Sequence, residues 1–210
     1  MQKVFVALLV AMLLVSASAM AAPIIYPFGQ ASTAGFVNSV FVGPAASGYQ
    51  FVINQPITVV QLGINAGANI PIVMTLWDLD SQTILAQITV TSQPFAWQFA
   101  NLDFPVGLLP GDSYAVIGWA DTTNTGIPWY VFNNNAPPAF NPITGPVGPA
   151  GTRFENGIGI NTLPGNLLDP PAMYGVADIG YTTVVPEPGT LVMLGTGVLA
   201  LAGAMRRKLL

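Results

Sequence analysis

The 210-residue chain has no cysteine and no histidine, and only 7% of its residues are charged. Without cysteine there is no disulfide framework and no thiol nucleophile. Without histidine there is no imidazole for a triad or dyad, and zinc loses its usual ligand types. Stability must then rest on an apolar core, for which the 52% hydrophobic residues supply the material.

Positive charge is scarcer still where a domain could fold. Lys3, Arg206, Arg207 and Lys208 stand at the ends, so Arg153 is the one cation between Pro23 and Val185. Against it stand Asp78, Asp80, Asp103, Asp112, Asp121, Glu155, Asp169 and Asp178, eight acids that leave a formal charge of −7. Phosphate binding draws on clustered Lys and Arg, so nucleic acid is excluded as a partner.

What is abundant is apolar sequence at both ends. Lys3, the run Val4 to Val15 and the residues Ser16 to Ala22, small except for Met20, have the three parts of a signal peptide. Ala17/Ala19 and Ala19/Ala21 offer cleavage patterns, and the 12-residue run is short of the ~20 residues a span needs. This predicts an N-terminal signal helix over 1–21, removed by signal peptidase after passage through the export machinery. At the other end, VVPEPGT is followed by LVMLGTGVLALAGAM and RRKLL. The prolines break any preceding element, the apolar stretch predicts a C-terminal transmembrane helix, and Arg206, Arg207 and Lys208 form a basic stop that stays cytoplasmic.

Pro186-Glu187-Pro188, an apolar helix and an Arg-rich tail, in that order, resemble the PEP-CTERM sorting signal of Gram-negative bacteria that make extracellular polysaccharide. The resemblance implies that exosortase, a membrane transpeptidase-like protease, recognises Pro186, Glu187 and Pro188 as substrate residues and cleaves near them. It also implies a protein anchored transiently in the inner membrane and then placed at the cell surface or outside it, in an exopolysaccharide or biofilm setting.

Between the two signals, residues 22–185 read as a single ectodomain. Ile84, Ala86, Ile88 and Val90 alternate with Thr83, Leu85, Gln87, Thr89 and Thr91, the period of a half-buried strand. Tyr49–Ile53, Ile57–Ile64, Ile72–Trp77, Ala96–Phe104, Ser113–Ala120, Trp129–Phe132 and Met173–Thr182 are similarly short and bounded by Gly, Pro, Asn or Asp. About eight such strands predict an all-β fold, an antiparallel β-sandwich of jelly-roll type, with a barrel as the alternative. The runs GYQFVINQPITVVQLGIN, VMTLWDLDSQTILAQITV and LLPGDSYAVIG resemble a domain of unknown function in exported bacterial proteins. That resemblance implies a β-sandwich, sometimes a neighbour of carbohydrate-active modules, with no activity attached.

Three places in the middle invite a site. Asp78-Leu79-Asp80 has the start of a calcium loop, but Thr83 stands where that loop needs Gly and no Glu closes it, so a hairpin turn is expected and no metal. Trp129 and Tyr130, with Asn133 to Asn135 nearby, offer the flat rings and amides of a glycan contact, unless Trp129 belongs to the core. Gly145, Gly148 and Gly151, with Pro146 and Pro149, read as a surface loop. The acids fall mostly beside turn residues, which predicts no catalytic residues, no cofactor and no enzyme. The expected role is a structural surface or matrix protein associated with polysaccharide, with a lectin-like module around Trp129 and Tyr130 as the alternative.

Overall fold

A computed structural model describes residues 23–27, 36–38, 43–94, 96–125, 131–133, 145–168, 173–174 and 176–183. Among them the chain forms strands and no helix. The strands are β1 (Phe36–Asn38), β2 (Pro44–Ile53), β3 (Ile57–Asn65), β4 (Pro71–Asp78), β5 (Thr83–Thr91), β6 (Trp97–Leu108), β7 (Ser113–Asp121), β8 (Val131–Asn133), β9 (Val147–Asn156), β10 (Asn166–Leu168), β11 (Met173–Tyr174) and β12 (Val176–Thr183). They pair antiparallel into a large sheet, β10-β9-β2-β7-β4-β5, a small sheet, β12-β3-β6, and a short ribbon, β1-β8-β11.

The large and small sheets face each other across one apolar core. Tyr49 and Phe51 of β2 and Ile72, Met74 and Leu76 of β4 meet Leu62 and Ile64 of β3 and Ala177 and Ile179 of β12. Each large side chain removed from water there stabilises the fold by roughly 1.5–3 kcal/mol. In a chain without cysteine, this is what opposes the entropy of the unfolded state.

Bulges decide which side chains reach the core. Strand β5 alternates as its sequence predicts, yet Leu76 pairs with Ala86 while Trp77 pairs with Ile84, so Leu85 is an extra residue. The slip turns Ile84 to the opposite face, where it packs with Trp77. In β3 the extra residue is Val60, skipped by both neighbours, which is why the inward residues change from Ile57 and Val59 to Leu62 and Ile64. Opposite Val60, β6 carries the unpaired residues 102–105, of which Leu102 packs on the core while Asp103, Phe104 and Pro105 are exposed, Phe104 at 84%.

The outer face of the large sheet is closed. Ala46, Trp77, Ala115 and Ile117 are covered by Ile158 from the segment 157–165. Trp119 donates its indole N–H to the Ile158 carbonyl at 2.9 Å, and Arg153 donates to Gln50 Oε1 and to the Pro164 carbonyl. The expectation of a surface loop around Gly145, Gly148 and Gly151 is corrected here: Val147–Asn156 is strand β9, paired with β2 and β10. Its Gly and Pro mark a bulge. Gln50 pairs with Gly151 and Phe51 with Pro149, Ala150 is the extra residue, and Gly151 takes φ +142°.

Strand β12 is an edge on which two outward N–H groups are occupied. Tyr181 and Ile25 exchange backbone hydrogen bonds, and Ile179 N–H donates to Asp178 Oδ1 at 2.9 Å. Asp178 is fully buried and also accepts from the Tyr49 hydroxyl at 3.1 Å. Asp178→Ala takes this acceptor from the buried Tyr49 hydroxyl and leaves the Ile179 N–H with the Tyr49 oxygen, and a buried donor left unsatisfied costs about 1–3 kcal/mol. The variant should therefore melt several degrees below the parent, and Asp178→Asn, which keeps an oxygen, should fall less.

The titrating groups set a pH profile. Tyr49 is held well above its ordinary 10.0, first by burial and then by the Asp178 carboxylate, and burial also raises Tyr114 and Tyr181. Raised folded values mean that their contribution is complete below pH 10 and is lost as pH rises through the folded values. Asp78 is lowered, chiefly by the Ser81 backbone N–H, and Asp121 by the Thr123 hydroxyl and N–H. Their contribution is complete above the ordinary carboxylate value and is lost on acidification. With no histidine between these limits, melting temperature should be flat from about pH 5 to 9 and fall outside it. A step near pH 6.5 in calorimetry would contradict this.

Candidate functional site

The face with open side chains is the outer side of the small sheet. Because Leu62 and Ile64 point into the core, Gln61, Gly63 and Asn65 of β3 take the other side. Their cross-strand partners on β6 are Asn101, Phe99 and Trp97, an every-second-residue set on a single strand. On β12, Gly180 lies opposite Gln61.

Two glycines form the floor. A Cβ on Gly63 would lie 2.3 Å from carbons of the Phe99 ring, and one on Gly180 would lie 2.8 Å from the Tyr26 ring. The Phe99 ring therefore lies against the Gly63 backbone, and an edge carbon of Tyr26 lies against Gly180. Tyr26 and Phe99 have centroids 4.4 Å apart, and Phe99 stacks on Trp97 at 5.7 Å with 21° between planes. The three rings make one half-buried row, with Tyr26 tilted 51° to Phe99 and Trp97 packed also against the core.

Neutral amides run beside the row. Tyr26 donates its hydroxyl to Gln61 Oε1 at 2.6 Å, and Gln61 Nε2 donates to Asn101 Oδ1 at 2.7 Å. This chain of bonds leaves the exposed Asn101 with its NH₂ turned to no protein acceptor in the described contacts. At the far end, Asn65 Nδ2 and Trp97 Nε1 are enclosed and have no hydrogen-bond partner. Such donors cost about 1–3 kcal/mol each. Trp77 and Trp119 differ, since their indole N–H groups bond to Thr75 Oγ1 and the Ile158 carbonyl.

The acids serve turns. Asp78 Oδ1 accepts from the backbone N–H groups of Asp80 and Ser81, closing the β4–β5 hairpin expected of Asp78-Leu79-Asp80. Asp80 Oδ2 accepts from Ser113 N–H, and Asp121 Oδ1 from the N–H and hydroxyl of Thr123. Among the described residues no group of three or more acids is placed to hold a metal ion.

Of the residues expected to carry function, Trp129, Tyr130, Pro186, Glu187, Pro188, Arg206, Arg207 and Lys208 lie outside the described residues, as do the N-terminal signal helix and the C-terminal apolar stretch. Among the described residues no helix is long and apolar enough to cross a membrane. The row Trp97, Phe99, Asn101 was not anticipated from sequence, although the strand bearing it was. Its signal is the alternation W-x-F-x-N opposite Q-x-G-x-N, legible once the partner strand is known.

Residues 184–208 match the family model of the PEP-CTERM protein-sorting motif. This is the C-terminal signal of exosortase substrates. No curated protein matches the chain.

Proposed function

We propose that this chain, which carries the sorting signal of exosortase substrates, is a structural component of the cell surface or extracellular matrix in a polysaccharide-producing, biofilm-forming bacterium. The match at residues 184–208 carries the reading. It supports an exported protein with exosortase as its processing partner and a membrane-anchored precursor. The apolar stretch Leu191 to Met205 holds the precursor in the membrane, the basic tail fixes its orientation, and cleavage near Pro186 to Pro188 frees residues 22–185 as a jelly-roll-like β-sandwich.

A structural rather than catalytic role agrees with how the acids are used. Asp78, Asp80 and Asp121 spend their oxygens on turn backbone, and Asp112 Oδ2 accepts from the Tyr114 hydroxyl. An edge strand of the large sheet, β5, presents Thr83, Gln87, Thr89 and Thr91 to solvent, a neutral hydroxyl- and amide-bearing surface suited to hydrated polysaccharide.

Fractionation of a producing strain tests this. The processed form should be found with the extracellular polysaccharide and be released when that polymer is digested enzymatically. Recovery in the soluble cell interior, or in the medium without regard to polymer, would refute the matrix role.

A further inference from the structure

We infer that the outer face of the small sheet binds a neutral polysaccharide chain, stacked along Tyr26, Phe99 and Trp97 and hydrogen-bonded by Gln61 and Asn101. The inference deepens the matrix role and rests on that reading for its choice of ligand.

The chemistry of the face selects the class. A pyranose ring presents apolar C–H surface on its faces and hydroxyls at its rim. Flat aromatic rings meet the first, and amides, which donate and accept at once, meet the second. Close packing of Phe99 on Gly63 and of the Tyr26 edge on Gly180 fixes the two rings at the sheet surface, where each stays partly exposed. The row is continuous, with Phe99 touching both neighbours, so it suits an extended polymer rather than a single sugar.

Charge argues against anionic polymers. The ectodomain carries a formal −7, and its one cation, Arg153, is on the large sheet and bonded to Gln50 and Pro164. The opposite face of the domain is no competitor, since the segment 157–165 covers it and its indoles are bonded internally.

Affinity electrophoresis of the processed protein in gels holding hydroxyethylcellulose, a galactomannan or alginate tests the site. The expected result is retardation by at least one of the two neutral polymers and none by alginate. Tyr26→Ala combined with Asn101→Ala should weaken that retardation roughly tenfold, and Leu167→Ala, at an exposed position of β10 in the other sheet, should leave it unchanged. Should the double variant melt early, Asn101→Ala alone, at an exposed position, should still weaken binding several-fold at an unchanged melting temperature. No retardation by either neutral polymer, retardation by alginate alone, or equal retardation of parent and Asn101→Ala would each overturn the site. A protein that partitions with its own matrix yet ignores both neutral polymers keeps the role proposed above and loses this face.

Discussion

Gly48→Ala is expected to cost at least about 3 kcal/mol and to lower the melting temperature by about 10 °C, or to yield no folded protein. Gly48 is in the middle of β2, between β9 and β7, where a Cβ would lie 1.8 Å from the Val116 carbonyl oxygen, 2.8 Å from its carbon and 2.9 Å from Ile117 Cα. All three atoms are backbone, so no rotamer change relieves the clash. Moving β7 away would break its ladder with β2 and, on its other side, with β4. The expected loss is a large part of the 5–15 kcal/mol by which domains are stable. Gly107→Ala is the control. No atom lies within 4 Å of its added Cβ, and it should melt within about 2 °C of the parent. Thermal unfolding followed by circular dichroism reads both, and a Gly48→Ala protein as stable as Gly107→Ala would show the β2–β7 packing to be wrong.

The second large effect concerns location. Glu187→Ala, or Pro186 and Pro188 both replaced by alanine, should leave the chain unprocessed in the membrane fraction of a host that has exosortase. The physical reason is that a protease reads an extended segment through its side chains and fixed backbone, and Pro-Glu-Pro offers one carboxylate held between two residues of restricted φ. Neither variant touches the apolar stretch or the basic tail, so anchoring should persist while release fails. Replacing Arg206, Arg207 and Lys208 by alanine is expected to act differently, disturbing orientation before cleavage. Immunoblots of membrane, surface and medium separate the two outcomes. Normal release of Glu187→Ala would remove Glu187 from the recognition signal.

How far the sequence foretold this differs from element to element. Strand β5 was legible in its period of two, because buried and open positions alternate, but the Leu85 bulge that turns Ile84 away from Ala86, Ile88 and Val90 was not. The Asp78 hairpin was legible from its turn chemistry. Strand β9 was not, since Gly148, Pro149 and Gly151 carry loop composition; what makes it a strand is pairing with β2, a contact a hundred residues away in the chain. The N-terminus of β2 was also missed, because Ala45, Ala46, Ser47 and Gly48 are small residues without β propensity that fit where both faces are buried. The aromatic row needed still more. Val60 had to be known as a bulge before Gln61, Gly63 and Asn65 could be assigned to the outer face, and Tyr26 reaches that face only through the bridge of Ile25 to Tyr181. A site assembled from an N-terminal segment and three strands has no linear signature. The sorting signal, by contrast, is wholly local and was readable in full.

This difference bears on function. The C-terminal motif is read by another enzyme as sequence, so it must be contiguous, whereas the small-sheet face meets its ligand as a surface and depends on register. The two features are independent, and either can fail without the other.

The most direct test of the central claim is intact-mass measurement of the protein recovered from membranes and from medium. Processing by signal peptidase and exosortase predicts a mature chain that starts between Met20 and Pro23 and ends between Pro186 and Gly189. An exported chain that still ends at Leu210, in a host whose exosortase is active, would contradict it.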